Sequence, residues 1–154
     1  MKIVKLDPDE LAVCNLIGTN RSLIARASRV KDAKVGKQDG AKADIMGVMA
    51  EYAFAKEFNV FPDLGLVPRS GSADGEYKGF NYDIKSTHYK SGKLLCTQKD
   101  NPDVDIYILA IVSEPEVNLV GWAFKSELVK EQNLTDLGHG FGYALNQNQL
   151  RIFR

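Results

Sequence analysis

Alternating apolar and polar positions in the middle of the chain predict a β-hairpin. Every second position after residue 79 is apolar up to residue 84, which is the pattern of a strand with one buried face. A glycine at position 79 tolerates the positive φ of a tight turn, so Lys78-Gly79 is expected to form a two-residue turn. The apolar face comprises Phe80, Tyr82 and Ile84, and the polar face comprises Asn81, Asp83, Lys85 and Thr87.

A second apolar segment predicts the centre of the same sheet. Residues 106–112 read IYILAIV and are apolar on both faces, as in a strand that is covered on both sides. Weaker patterns indicate further short strands, at residues 1–6, 93–99, 117–124 and 150–154.

The N-terminal part of the chain is predicted to be helical. Asp7 is expected to cap a helix, with Pro8 in the first turn and Glu10 closing a capping box. Gly18 is expected to interrupt this helix, and a second helical pattern follows at Asn20–Val30. The polar, glycine-containing residues 31–43 are interpreted as a loop that orders on a ligand.

A third helix is predicted at Asp44–Phe58, and it carries one acidic side chain in an apolar setting. Its residues are apolar almost all round, which is typical of a well-buried helix. Glu51 has Gly47, Val48, Phe54 and Ala55 one turn away on either side. A carboxylate there is costly unless it is paired, hydrogen-bonded or bound to a cation, whereas at the rim of the helix it would reach water.

Charge is unevenly distributed along the chain, although the formal net charge is zero. Residues 20–43 contain seven basic and two acidic side chains, a local excess that attracts a polyanion such as nucleic acid. A solvated basic loop is the alternative. The basic residues are Arg21, Arg26, Arg29, Lys31, Lys34, Lys37 and Lys42.

Length and composition favour one intracellular domain. The 154 residues are enough for one domain with its own core, and no internal repeat or linker is found. The start, MKIVKLDPDE, lacks the apolar segment of a signal peptide, and no apolar run is long enough to span a bilayer. Cys14 and Cys96 have no metal-ligand spacing and are expected to be free buried thiols in a reducing cytoplasm.

The polar face of the hairpin is the candidate site. If residues 78 and 79 form the turn, Asp74 lies opposite Asp83, and Lys85 projects from the same face. Mg²⁺ prefers oxygen ligands and takes one or two carboxylates, so Asp74 and Asp83 suit it, with Glu51 able to join. Lys85 would then hold or deprotonate a water, or stabilise charge that develops on a phosphate oxygen. The alternative is a solvated strand face on which Lys85 is an ordinary ion-pair partner.

A helical Glu51, then Asp74, then Asp83-Ile84-Lys85 in a hairpin resembles the PD-(D/E)XK, or restriction-endonuclease-like, nuclease superfamily. The stretch GVMAEYAFAKEF is similar to the GxxxE helix of small stand-alone members, many of them from phages. The resemblance covers residues 44–112 approximately, and the Pro of the PD motif is Ala73 here.

This resemblance implies the fold class and the roles of the site residues. It implies an α/β (α+β) domain, with a mixed central sheet of about four to five strands flanked by helices. The single domain at 1–154 would comprise a helical, basic part at 1–43 and a core at 44–124. Glu51, Asp74 and Asp83 would be metal-site carboxylates, and Lys85 the catalytic lysine.

The function expected from this resemblance is Mg²⁺-dependent hydrolysis of DNA phosphodiester bonds, with Mn²⁺ as a substitute metal. Branched DNA and recombination or repair intermediates are candidate substrates, and the enzyme would work as a homodimer in the cytoplasm of a prokaryotic or phage-infected cell. The phosphate backbone would be bound by Arg21, Arg26, Arg29 and Lys34. One alternative is a catalytically silent member of the fold that binds nucleic acid or protein, and another is a structural α/β protein with a solvated acidic face.

Overall fold

The computed structural model of the protein describes residues 1–27, 40–67, 72–98 and 101–154. Within these ranges the helices are α1 (Pro8–Ala27), α2 (Gly40–Phe58) and α3 (Lys125–Leu128). The strands are β1 (Lys2–Lys5), β2 (Gly75–Tyr77), β3 (Phe80–Thr87), β4 (Leu94–Thr97), β5 (Ile106–Ser113), β6 (Glu116–Phe124), β7 (Leu134–Asp136) and β8 (Phe141–Leu145). Among the described helices none is long and apolar enough to cross a membrane.

The strands form two sheets, of which the larger contains the predicted hairpin. Its order is β1-β6-β5-β3-β2, and it is mixed because β3 and β5 run parallel while the other neighbours are antiparallel. The smaller sheet is antiparallel in the order β4-β8-β7. The α+β class with a five-stranded mixed sheet is therefore confirmed.

Strand β5 lies at the centre of the larger sheet and is buried from residue 106 to residue 112, as its apolar sequence predicts. Its alternate side chains serve two cores. Ile106 and Ile108 pack into the core formed with α1 and α2, whereas Tyr107, Leu109 and Ile111 pack into a second core. That second core includes Leu94, Cys96 and Leu145 of the smaller sheet and Leu128 of α3.

The two faces of the larger sheet are covered by different elements. The two long helices pack on one face, and the smaller sheet with the four-residue α3 covers the other. The predicted strand at 93–99 forms β4 of the smaller sheet, where it pairs with β8. The expected strand at 150–154 is replaced by a single bridge between Arg151 and Trp122. Sequence periodicity predicts that a strand exists but not which sheet it joins.

Helix α1 begins as predicted but does not end where predicted. Its capping box is formed, because the Asp7 amide donates to Glu10 Oε2 at 2.7 Å and the Glu10 amide donates to Asp7 Oδ1 at 2.8 Å. The helix then continues through Gly18 to Ala27, so the predicted break at Gly18 is wrong. The end of the expected helix at 28–30 lies outside the described residues, as does the expected loop from residue 31 to residue 39. Residues 40–43, also expected in that loop, instead form the first turn of α2, which begins at Gly40 and not at Asp44.

Gly18 is required for the contact between α1 and α2. A Cβ atom placed on Gly18 would lie 2.5 Å from Ile45 Cα, which is backbone of the other helix. Such an atom fits only if the helices move apart. The glycine therefore allows close helix packing instead of ending the helix, and it lies one turn before Arg21, whose side chain reaches the candidate site.

We expect Gly18→Ala to destabilise the protein by about 1–3 kcal/mol, because overpacking outweighs the better helix propensity of alanine. Gly47→Ala is the matched control: Gly47 lies in α2, and its added Cβ would meet nothing within 4 Å. The control should be stabilised by up to about 1 kcal/mol. Urea unfolding of both variants measures the difference, and an unchanged free energy of unfolding in Gly18→Ala would contradict the packing role.

Candidate catalytic and cation-binding site

The hairpin that carries the candidate site forms with the predicted turn and register. Lys78 and Gly79 both have positive φ, 51° and 81°, as a tight two-residue hairpin turn requires. The pairs are Gly75 with Tyr82, Glu76 with Asn81, and Tyr77 with Phe80. This register places Asp83 and Lys85 on the face opposite Tyr82 and Ile84, whose side chains pack into the α1–α2 core.

Asp74 lies just before β2, and its predicted pairing opposite Asp83 is wrong in detail. Its amide donates to the Tyr82 carbonyl at 2.8 Å, and its Oδ2 accepts the Ile84 amide at 2.7 Å. Backbone amides of a strand lie in the plane of the sheet. The Asp74 carboxylate therefore occupies the position beside β3 that a further residue of β2 would have taken. It lies in the plane of the sheet, between the two faces of the sheet.

Asp83 and Lys85 form an ion pair on the face of β3 that looks towards the second core. Lys85 Nζ lies 2.9 Å from both carboxylate oxygens of Asp83. The Asp83 side chain is 15% exposed and the Lys85 side chain 40%, so the pair is at the border of the protein interior. The Lys85 ammonium also lies 5.8 Å from the centroid of the Tyr107 ring. Because Asp83 and Lys85 are two residues apart in a strand, their side chains lie on the same face, as predicted.

Glu51 approaches the same sheet edge from α2. The Glu51 side chain is 21% exposed, so it is neither fully buried nor on the solvated rim of the helix. Arg21 Nη1 donates to Glu51 Oε2 at 3.3 Å, so the carboxylate is paired within the protein. The guanidinium of Arg21, from α1, therefore supplies a positive charge that compensates Glu51 in its apolar helix.

Arg21 also holds the segment that follows α2. Its Nε donates to the Gly65 carbonyl at 2.7 Å, and its Nη2 donates to the Asp63 carbonyl at 2.8 Å. The same Nη2 lies 3.5 Å from Asp63 Oδ2. These contacts bring Asp63 to the site, although the sequence indicates its segment only as a connector. No local sequence pattern could have predicted that Asp63 lies there.

The pKa values show that these acidic groups influence one another. The pKa of Asp74 is raised well above its usual value, first by burial and then by the charges of Glu51 and Asp83. Burial also raises the pKa of Glu51, against the lowering effect of Arg21. Burial, with the charges of Asp74, Glu51 and Asp63, raises the pKa of Tyr82 to about 12. Negative charge is therefore concentrated around the Asp74 carboxylate.

Lys85 keeps its positive charge in this setting. Burial by itself lowers the pKa of Lys85, but the charge and hydrogen bond of Asp83, with the charge of Asp74, raise it above the usual value. Lys85 is therefore suited to stabilise negative charge and to orient a water rather than to remove a proton.

The carboxylate oxygens at this sheet edge are of the kind that Mg²⁺ prefers as ligands. Among the described residues no group of three His, Cys, Asp or Glu side chains is arranged to hold a metal ion. Mg²⁺, however, often binds through one or two carboxylates and several waters. Asp74 and Asp83 can supply two such carboxylates, and a divalent cation would offset the charge that raises the pKa of Asp74.

The predicted nucleic-acid contacts are only partly within the described residues. Arg26 is exposed near the end of α1. Arg21 is engaged by Glu51, Asp63 and Gly65, with its side chain 18% exposed. Arg29 and Lys34 lie outside the described residues, so their predicted contacts stay predictions.

Both cysteines are buried and free, as predicted. Burial, with the charges of Glu10 and Glu51, raises the pKa of the Cys14 thiol to about 11. A thiol of this kind is almost entirely protonated at neutral pH, so Cys14 is a core residue and not a nucleophile.

Comparison with protein-family models, with curated proteins and with solved structures finds no match for this chain. A proposal about its function therefore depends on the geometry of the sheet edge and on the sequence motif.

Proposed function

We propose that this protein is a Mg²⁺-dependent DNA endonuclease of the PD-(D/E)XK superfamily. The observation that carries the proposal is the meeting of Asp74, Asp83 and Lys85 at one sheet edge, with an acidic helix residue whose charge raises the pKa of Asp74. These four residues come from two separate segments of the chain and match the superfamily motif in order. A solvated acidic face would not bury them together.

In this proposal each residue has a distinct task. Asp74 and Asp83 hold the cation, and Glu51 is the third carboxylate of the site. When bound, Mg²⁺ would polarise the phosphate and lower the pKa of an attacking water. Lys85, freed from part of its contact with Asp83, orients that water and stabilises charge on the phosphate oxygens.

The DNA backbone would be bound through the basic segment at residues 20–43. Arg26, Arg29 and Lys34 are the proposed phosphate contacts, and Arg21 would have to give up internal bonds to join them. Binding of this kind weakens steeply with salt and has little sequence preference. A homodimer is proposed because cutting both strands requires two sites, and branched or repair DNA is the proposed substrate class.

A specific observation favours the second candidate, a catalytically silent member of the same fold. Asp83 is paired with Lys85, and Glu51 with Arg21, so both ion pairs are complete without a metal. In a silent protein these pairs would stabilise the domain, and the basic segment would bind nucleic acid or a protein partner.

We expect the wild-type protein to cut plasmid, linear or four-way-junction DNA in Mg²⁺ or Mn²⁺ and to be inactive in EDTA. Gel analysis of the three substrates measures the products and identifies the preferred DNA. Absence of cleavage on every substrate, with salt-sensitive DNA binding retained, would support the silent protein instead. Absence of both cleavage and DNA binding would contradict the nuclease and would also contradict DNA binding by the silent protein.

A further inference from the structure

Tyr82, the residue before Asp83, is buried, and its hydroxyl has no partner in the described part of the chain. Only 5% of Tyr82 is exposed, and its ring packs on Phe54 with the ring centroids 4.5 Å apart. No described residue forms a hydrogen bond with its hydroxyl. A buried tyrosine hydroxyl ordinarily has a partner, because an unpaired polar group in the interior costs free energy. The hydroxyl is therefore available to a group that is not part of the protein.

The absence of a side chain at Gly75 lets the Tyr82 hydroxyl lie over the edge strand β2. The two residues are paired across the hairpin, so a side chain at position 75 would lie on the same face as the tyrosine ring. A Cβ atom placed on Gly75 would collide with the hydroxyl oxygen of Tyr82 and would lie 2.7 Å from Cζ. The ring therefore extends from β3 across β2, and its hydroxyl lies beside the residue that follows Asp74.

This position brings the hydroxyl close to the carboxylates of the candidate site. Burial, with the charges of Asp74, Glu51 and Asp63, raises the pKa of Tyr82 to about 12. The Asp74 carboxylate lies in the plane of the sheet, with Asp83 on one face and the Tyr82 ring on the other. The Tyr82 hydroxyl thus supplies a hydrogen-bonding group on the helix side of the sheet edge.

A hydrated cation needs such a group. Mg²⁺ bound through one or two carboxylates keeps several waters. The oxygen of each of these waters is directed at the metal, so the water donates its hydrogens and requires acceptors around it. A tyrosine hydroxyl oxygen is an acceptor as well as a donor.

We propose that Tyr82 is a positioning residue of the cation site, whose hydroxyl oxygen accepts a hydrogen bond from a water of the cation that Asp74 holds. Gly75 leaves the room in which the hydroxyl lies. This inference rests on the proposed function, which it deepens by naming a group that orients the water of the cation on the helix side of the sheet edge.

Mn²⁺ binding to the full chain, measured by electron paramagnetic resonance of the free ion, tests the inference without using activity. Tyr82→Phe removes only the hydroxyl, and we expect it to raise the dissociation constant for Mn²⁺ by about 10–100-fold, the usual effect of losing a partner of a metal ligand. The midpoint of urea unfolding in EDTA should not fall, because no described residue bonds to this hydroxyl.

Tyr77→Phe is the matched control, since it is the same change on the same face of the hairpin. Tyr77 pairs with Phe80 beside the turn, and its ring packs against Phe54 and Phe58. Its dissociation constant for Mn²⁺ should stay within about twofold of wild type. An equal loss of affinity in both variants would mean that repacking of the aromatic rings is the cause and would overturn the inference.

The remaining results separate this inference from the proposed function. Wild-type Mn²⁺ affinity in Tyr82→Phe would show that the hydroxyl meets only solvent, and a lower unfolding midpoint in EDTA, or failure to fold, would show a structural role. Each of these results would overturn the inference and leave the nuclease proposal standing. Absence of Mn²⁺ binding in wild type would overturn both. Weaker binding in Tyr82→Phe alone, without DNA cleavage by wild type, would support the inference and overturn the nuclease.

Discussion

Asp83→Asn is expected to reduce the rate of Mg²⁺-dependent DNA cleavage by about 10²–10³-fold, which is the usual cost of removing one electrostatic group from an active site. Asparagine keeps the shape of the side chain but lacks the charge that holds a cation and pairs with Lys85. The initial rate of cleavage of the preferred DNA at saturating Mg²⁺ measures the effect. Binding of the same DNA in Ca²⁺ should change little, because the backbone contacts are elsewhere.

Asp136→Asn is the matched control for this substitution. Asp136 is exposed on β7 of the smaller sheet, and its Oδ1 accepts the Gly138 amide at 2.8 Å, which an asparagine oxygen also does. The same chemical change there should leave the cleavage rate within about twofold of wild type. Wild-type rates in both variants would show that the hairpin is not the site of hydrolysis.

Asp74→Asn is expected to have opposite effects on stability and on activity. In the absence of metal, the ionised Asp74 is destabilising, since burial and the charges of Glu51 and Asp83 oppose its negative charge. Asparagine retains an oxygen for the Ile84 amide but carries no charge. We expect the variant to be more stable than wild type by about 1–3 kcal/mol at pH 8 in EDTA, the penalty of an uncompensated buried group, and to lose DNA cleavage.

The sign of the pH dependence follows from the raised pKa of Asp74. An acid that binds its proton more tightly in the native state stabilises the fold when protonated, and this contribution is lost as pH rises through the native pKa. Wild type should therefore lose stability relative to Asp74→Asn between about pH 4, the ordinary value for aspartate, and the raised native pKa. The difference should be small at about pH 4 and largest above the window.

Urea unfolding in EDTA across this pH range, with and without Mg²⁺, measures both parts of the prediction. Added Mg²⁺ should stabilise wild type and not the variant, because a ligand stabilises only the state that binds it. Asp136→Asn should follow wild type at every pH. A variant that is less stable than wild type at pH 8 in EDTA would mean that the stronger hydrogen bond from the Ile84 amide to the charged carboxylate outweighs the cost of burying that charge.

Asp74 and Asp83 are held at the sheet edge in two different ways. Asp74 accepts an amide that a longer β2 would have bonded, so the end of the strand creates the place for a carboxylate. Asp83 is held by its own strand and by Lys85. The two carboxylates therefore have independent supports, and loss of one should leave the other in place.

Much of the local structure could be predicted because it depends on neighbouring residues. The capping box of Asp7 and Glu10 and the turn at Lys78-Gly79 are specified by residues within three positions of each other. The same is true of Asp83 and Lys85, which a strand must place on one face. The central position of β5 was also predictable, since a strand that is apolar on both faces needs two cores.

Other predictions failed where a local signal had two physical meanings. Gly18 can end a helix or allow a close helix contact, and only the position of Ile45 decides between them. The strand at 94–97 could have joined either sheet, because its burial pattern suits both. Residue 74 could be placed opposite residue 83 only by assuming that the ladder continues beyond Gly75, which it does not.

The sequence by itself determined the start of α1, the turn at Lys78-Gly79, the strand that carries Asp83 and Lys85, and the acidic residue in an apolar helix. Only the tertiary structure decided that Glu51 is paired with Arg21, that Asp63 and Gly65 hold this arginine, and that Asp74 bonds to Ile84 at the sheet edge. The physical reason is the separation along the sequence of the residues that interact. Turns, caps and strand faces follow from the covalent geometry of adjacent residues, whereas Arg21 and Gly65 meet only after two helices and the connecting segment have packed together.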